Sequence, residues 1–161
     1  MIRVGFGYDA HRLVADRNLI LGGVNIPYHL GLQGHSDADV LIHAACDALL
    51  GAAGMGDLGS HFPDTDPALE GVSSVVILRK IATMVRNEGF ELQNLDTTVV
   101  AEKPKLAPYI ETMKASIADA LGVNPRQVSV KATTTEGMGF TGRGEGMAAY
   151  AVAVLTASAE A

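Results

Sequence analysis

Asp9 and His11 stand two residues apart at the end of Ile2 to Asp9 (IRVGFGYD), a run whose β-branched and aromatic residues predict a strand. Alternate strand side chains leave from one face, so a carboxylate oxygen and an imidazole nitrogen here can share one cation. An Asp-x-His pair is also what a surface carboxylate beside a solvated histidine would give. His43 supplies a third ligand-type group, one to two turns into the alanine- and leucine-rich run Ala38 to Ala53 that predicts the first helix. Asp39 and Asp47 lie at i−4 and i+4 from it, where either carboxylate could orient its second ring nitrogen. Two histidines and one carboxylate leave a fourth coordination position open, the pattern of a catalytic zinc site, whereas closed structural sites recruit cysteines. The chain has a single cysteine. An ion held this way would act as a Lewis acid on a phosphoryl group.

Two further stretches carry polar groups in glycine-rich settings. Lys131-Ala132-Thr133-Thr134-Thr135-Glu136 runs into Gly137, Gly139, Phe140, Gly142, Arg143, Gly144 and Gly146. Hydroxyls and amides in such turns suit phosphate oxygens, and Glu136 offers a hard oxygen ligand for magnesium. The same residues describe an edge strand ending in a flexible loop, and GxxxxGK[ST] spacing is missing. Gly54 to Pro67 (GMGDLGSHFPDTDP) is too broken for a regular element, and its Asp57, Asp64 and Asp66 suit either ligand positioning or ordinary turns. Ala101 to Ala107 (AEKPKLA) leaves a strand through Pro104 with Lys103 and Lys105, which residue type alone reads as solvated.

The elements that must position these groups begin with the first strand. Leu19 to Leu21, Gly22-Gly23 and Val24 to Ile26 predict a hairpin. Ser36 or Asp37 is the expected cap of the first helix. Val72 to Glu88 predicts a second helix capped by Ser73 or Ser74 and stopped by Gly89. Pro108 opens a third, with Tyr109, Ile110, Met113, Ile117 and Leu121 on one face and Gly122 at its end. Leu95 to Ala101, Val128 to Thr135 and Met147 to Leu155 predict strands. The fold class is α+β, one mixed sheet of about four strands plus a hairpin, with three helices on one face. The last strand is apolar on nearly every residue, which predicts sheets from several subunits packing together.

Composition narrows the function classes. The chain is 161 residues long, matching one domain, and 48% hydrophobic with 19% charged residues. A net charge of −6 argues against nucleic acid as a partner, because phosphate-backbone affinity needs clustered Lys and Arg. No apolar run approaches the about 20 residues that span a bilayer, and the N-terminus has no signal-like apolar region, so a membrane is not expected as a partner. Cys46 has no disulfide partner and fits a reduced, cytoplasmic compartment, as a small buried hydrophobe with no catalytic role.

Taken in order, several segments resemble the 2-C-methyl-D-erythritol 2,4-cyclodiphosphate synthase family: Gly5-Phe6-Gly7-Tyr8-Asp9-Ala10-His11, Gly34-His35-Ser36-Asp37-Ala38-Asp39-Val40, Asp47 to Ala52, Gly56-Asp57-Leu58-Gly59, His61-Phe62-Pro63-Asp64-Thr65-Asp66-Pro67, Lys131 to Glu136 and Gly139 to Gly146. The resemblance covers nearly the whole chain and implies a single domain over 1–161. It implies zinc on Asp9, His11 and His43, and magnesium or manganese at Glu136 with the diphosphate. It gives His35 and Thr134 catalytic roles in stabilising the transition state. Substrate contacts are implied for Asp9, His11, His35, Ser36, Asp57, Leu58, Gly59, Phe62, Pro63, Asp64, Thr65, Asp66, Phe140 and Arg143. The cytidine pocket is implied at Ala101, Glu102, Lys103, Pro104, Lys105, Leu106, Ala107, Ala132, Thr133, Thr134 and Thr135.

The same resemblance implies a homotrimer with active sites between subunits, and an isoprenoid diphosphate as a further ligand of the central cavity. The implied reaction converts 4-diphosphocytidyl-2-C-methyl-D-erythritol 2-phosphate to 2-C-methyl-D-erythritol 2,4-cyclodiphosphate and CMP, a phosphorus–oxygen lyase step of non-mevalonate isoprenoid biosynthesis. A zinc phosphohydrolase would use the same ligands to activate water and would leave linear products. A nucleotide-binding module would bind CDP without turnover.

Overall fold

The computed structural model describes residues 1–158; the last three residues of the predicted domain lie outside the described residues. Strand β1 (Ile2–Val14) runs past Asp9 because its antiparallel pairing to β7 (Gly146–Ala157) continues through His11↔Met147 and Arg12↔Gly146. β7 pairs antiparallel with β5 (Phe90–Val100) on its other edge, and β5 pairs parallel with β6 (Val128–Thr133). The fifth strand is the two-residue β4 (Gly31–Leu32) against the end of β1, too short to leave a hydrophobic period in the sequence. The mixed sheet has the order β4-β1-β7-β5-β6. The predicted hairpin forms separately as β2 (Leu19–Leu21) and β3 (Val24–Ile26), with Gly22 and Gly23 both at positive φ as a tight hairpin turn requires.

Three long helices cover one sheet face: α1 (Val40–Ala53), α3 (Ser74–Asn87) and α4 (Ile110–Leu121). The broken segment after α1 holds a one-turn helix, α2 (Leu58–His61), and a 3-10 turn at Pro67–Leu69, while α5 (Gly139–Gly142) lies in the predicted 136–146 loop. Pro108 sits in a 3-10 turn, Ala107–Tyr109, that leads into α4. Among the described residues no helix is long and apolar enough to cross a membrane.

α1 is apolar except at His43 and Asp47 and is central, with Val40, Leu41, Ile42, Ala45, Leu49 and Leu50 buried between the sheet and α3. Its contact with β1 sets the site. A Cβ on Gly5 would collide with the Ala48 carbonyl and the Ala52 amide, and one on Gly7 with the Ala44 carbonyl. The missing side chains therefore let strand and helix backbones touch. Two strand residues advance about 6.7 Å and four helix residues about 6 Å, so this contact keeps its register as β1 climbs toward the α1 N-terminus. The next residues on the Gly5-Gly7 face are Asp9 and His11, which arrive at the turn of α1 carrying His43.

The opposite sheet face carries Ile2, Val4 and Phe6, which are 72%, 64% and 62% exposed, together with Tyr8, Tyr150 and Val152. Tyr150 packs against Tyr8 and Phe6, with ring centroids 5.1 and 6.2 Å apart. An exposed apolar patch of this kind marks an interaction surface.

Candidate metal centre and active site

Asp9 Oδ2 lies 2.8 Å from His11 Nε2 and 3.1 Å from His43 Nδ1, and the two imidazole nitrogens are 3.2 Å apart. Four ligands at about 2.0 Å in a tetrahedron would be about 3.3 Å from one another, so these three fit one ion of that class. Three lone-pair donors this close repel unless a proton or cation lies among them. No other group of three or more His, Cys, Asp or Glu side chains comes together in this way among the described residues.

Burial pushes the Asp9 carboxyl up, but hydrogen bonds and attraction from His11 and His43 outweigh it and hold the group at about 2. Burial pushes His43 down, yet its hydrogen bond to Asp9 and the negative charges of Asp9, Asp39 and Asp37 leave it above its ordinary value. The centre is therefore an acidic pocket that draws in positive charge.

Two readings of the helix start are corrected. Neither Ser36 nor Asp37 caps α1; Asp39 does, accepting from the Ile42 amide at 3.1 Å. The fully buried Asp39 also accepts from Gly22 N and Gly23 N at 3.0 and 2.7 Å, tying the hairpin turn to the helix. Burial and then Asp37 push its carboxyl up to about 6 against those amides. Asp39 is thus engaged away from His43, and Asp47 accepts from Leu58 N at 2.7 Å, so neither orients the ring. His43 Nε2 faces Ser74 Oγ at 2.9 Å and Ser36 Oγ at 3.3 Å.

A cavity of about 630 Å³ opens onto the centre, lined by Asp9, His11, His35, Ser36, His43, Leu58, Gly59, Phe62, Pro63 and Asp64 among the expected residues. His35 Nε2 donates to the Asp66 carbonyl at 2.8 Å, which fixes that edge of the ring and leaves Nδ1 for a ligand. Asp57 and Asp66 serve as turn and cap residues, accepting from Ser60 N and Ala68 N at 2.9 Å each. They and Thr65 are not part of the cavity lining.

The remaining expected residues lie elsewhere in the chain. None of Ala101 to Ala107, Ala132 to Glu136, Phe140 or Arg143 lines the metal cavity. Glu102, Lys103 and Arg143 line a separate cleft of about 230 Å³ with Thr141 and Gly144. Glu102 accepts from Thr135 N and Gly137 N at 3.1 and 3.2 Å, joining the 101–107 loop to the 131–137 turn. Thr134 accepts from Glu136 N at 3.2 Å, and Glu136 sits exposed at positive φ.

Gln33, Gly34, Asp47, Leu69 and Ile77 complete the metal cavity. Arg17 holds the loop before α1, donating to the carbonyls of Gly34 and Ser36 at 2.8 and 2.7 Å. Its setting, Asp16-Arg17-Asn18, reads as a solvated turn, and only tertiary folding reveals the clamp.

The model of the YgbB family matches residues 2–156. A protein of Syntrophotalea carbinolica named 2-C-methyl-D-erythritol 2,4-cyclodiphosphate synthase is 57% identical over 159 residues, covering 99% of this chain and 97% of that protein. The bifunctional IspDF of Campylobacter jejuni superposes with a TM-score of 0.94 at 44% identity, over 98% of this chain and 42% of that one. The Plasmodium falciparum IspF in complex with CDP gives a TM-score of 0.85 at 30% identity, over 98% of this chain and 97% of that one.

Proposed function

The chain belongs to the YgbB family, and from that premise we propose that it is a cyclodiphosphate synthase, a phosphorus–oxygen lyase acting in isoprenoid biosynthesis. It converts 4-diphosphocytidyl-2-C-methyl-D-erythritol 2-phosphate to 2-C-methyl-D-erythritol 2,4-cyclodiphosphate and CMP. The observation that carries this reading is the Asp9, His11, His43 triangle opening onto the 630 Å³ cavity, in a fold shared with a CDP-bound relative.

The substrate brings its own nucleophile. Its 2-phosphate, with a second pKa about 6, is largely ionised at neutral pH and needs no general base. An oxygen of that phosphate bonds to the β-phosphorus as the bond from β-phosphorus to the bridging oxygen breaks, and CMP leaves with that oxygen. The barrier is repulsion between anions plus the entropy of ring closure.

Asp9, His11 and His43 would hold a divalent ion, zinc by ligand type, which supplies Lewis-acid neutralisation of phosphate charge. Glu136 would give magnesium or manganese one carboxylate, matching that ion's habit of taking its other ligands from phosphates and water. His35, held by Asp66, presents its second nitrogen to the phosphates, and Thr134 is its hydroxyl partner. Ser36, Leu58, Gly59, Phe62, Pro63 and Asp64 line the space for the methylerythritol moiety. Asp57, Thr65, Asp66, Phe140 and Arg143 complete the substrate contacts, some of them through loop position.

The cytidine residues, 101–107 and 132–135, lie outside the metal cavity of their own chain, which supports a site completed between subunits. A homotrimer built on the exposed face of β1 and β7 would cover Ile2, Val4 and Phe6 and join one subunit's metal cavity to its neighbour's nucleotide loops. The whole chain, 1–161, is read as one domain.

Incubating purified protein with the substrate, zinc and magnesium tests this directly: phosphorus NMR is expected to show a cyclic diphosphate with one CMP released per turnover. Linear phosphate products would make the protein a zinc phosphohydrolase, and CDP binding without turnover would make it a binding module.

A further inference from the structure

We propose that Ser74, held by Asp37, is a positioning residue that commits the His43 Nε2 proton and aims the Nδ1 lone pair at the Asp9 and His11 ligand atoms. Ser74 opens α3 and is fully buried. Its hydroxyl donates to Asp37 Oδ1, and its amide donates to Asp37 Oδ2 at 3.0 Å. A carboxylate offers acceptors only, so the serine proton points at Asp37. The serine oxygen then has lone pairs alone to present to His43 Nε2 at 2.9 Å, and Nε2 must be the donor. In the neutral imidazole that leaves Nδ1 unprotonated, 3.1 Å from Asp9 Oδ2 and 3.2 Å from His11 Nε2, as metal ligation requires.

The local fold explains why Asp37 takes this part. Ser73 stands at the N-cap of α3 but makes no side-chain capping bond. Asp37 reaches across from the loop before α1 and satisfies the Ser74 amide instead, while its own amide donates to the Val72 carbonyl at 3.1 Å. One carboxylate thereby caps α3, joins it to the α1 approach, and directs a metal ligand on α1. Ser36 Oγ accepts from the Ala38 amide at 3.2 Å and is the more distant neighbour of Nε2, at 3.3 Å against 2.9 Å for Ser74 Oγ.

This inference rests on Asp9, His11 and His43 being metal ligands, and zinc titration of the metal-stripped protein separates the two. Wild type that takes up no zinc overturns the ligand reading itself. If wild type binds zinc, Ser74→Ala is expected to bind it 10- to 100-fold more weakly, Ser74→Thr to recover most of that loss, and Ser36→Ala to change it less than Ser74→Ala does. Circular dichroism in EDTA establishes that each variant is folded. Folded Ser74→Ala with wild-type zinc affinity overturns the proposal. Should Ser74→Ala not fold, the zinc-loaded wild type decides by nitrogen-15 NMR: a His43 Nε2 proton protected from exchange is expected, and one exchanging like a solvent-exposed imidazole overturns it.

Discussion

Removing one of the three proposed ligands leaves the other two uncompensated. Asp9→Ala or His43→Ala leaves two donors for the ion, and we expect bound zinc and CMP release both to be lost, as read by metal analysis and turnover on the same preparation. The metal-free protein should also report the pair through its stability. Asp9 is held at about 2 against an ordinary 3.8, so its contribution, on the order of 2 kcal/mol, is complete above pH 3.8 and lost as pH falls toward 2. His43 is raised above 6.5, so its contribution is complete below pH 6.5 and lost as pH rises through the folded-state value. In EDTA the melting temperature should therefore fall on either side of a maximum between about pH 4 and 6.5, which the raised Asp39 carboxyl moves toward the acid end. A melting temperature that climbs from pH 6.5 to 8 would contradict the Asp9–His43 pairing. Asp9, His11 and His43 were legible in the sequence because strand parity and ligand chemistry are local. Ser74, Asp37 and Arg17 were not, because a serine at a helix start and an arginine in a polar turn look the same whether or not a distant loop folds onto them.

At the scale of elements, the site depends on the closeness of β1 to α1. Gly7→Ala places a methyl against the Ala44 carbonyl, which no rotamer can relieve. Backbone separation is the only escape, at a loss of about 3 kcal/mol or more. The same shift carries His43 away from Asp9 and His11, so denaturant unfolding should show destabilisation and zinc titration a parallel loss of affinity. A Gly7→Ala protein with wild-type stability and affinity would mean that α1 is not seated with the Ala44 carbonyl against Gly7. The periodicities of α1, α3, α4 and the long strands carried most of the fold. The one-turn α2 and α5, the two-residue β4 and the extension of β1 to Val14 were not readable, since each is defined by tertiary pairing. The true α1 cap was hidden for the same reason: Asp39 is chosen by the hairpin amides of Gly22 and Gly23 as much as by its own helix.

For the molecule as a whole, the proposed association through β1 and β7 accounts both for the division of the expected residues between two separate clefts and for the bare apolar sheet face. Light scattering should give three times 16.8 kDa, about 50 kDa. Phe6→Asp puts a charge on the face that Tyr8 and Tyr150 share; it should yield smaller species that keep zinc but lose turnover. A wild-type monomer with full activity would contradict the shared site. Glu136→Gln should raise the magnesium concentration needed for turnover while leaving zinc content unchanged, since Glu136 lies outside the Asp9, His11, His43 group.

One carboxylate and two imidazoles from β1 and α1 are placed to share an ion. Anomalous diffraction at the zinc edge from zinc-loaded crystals measures this most directly. One anomalous peak per chain is expected within about 2.0–2.2 Å of Asp9 Oδ2, His11 Nε2 and His43 Nδ1. Crystals that are zinc-loaded yet show no peak there, or carry the ion at other side chains, would contradict it.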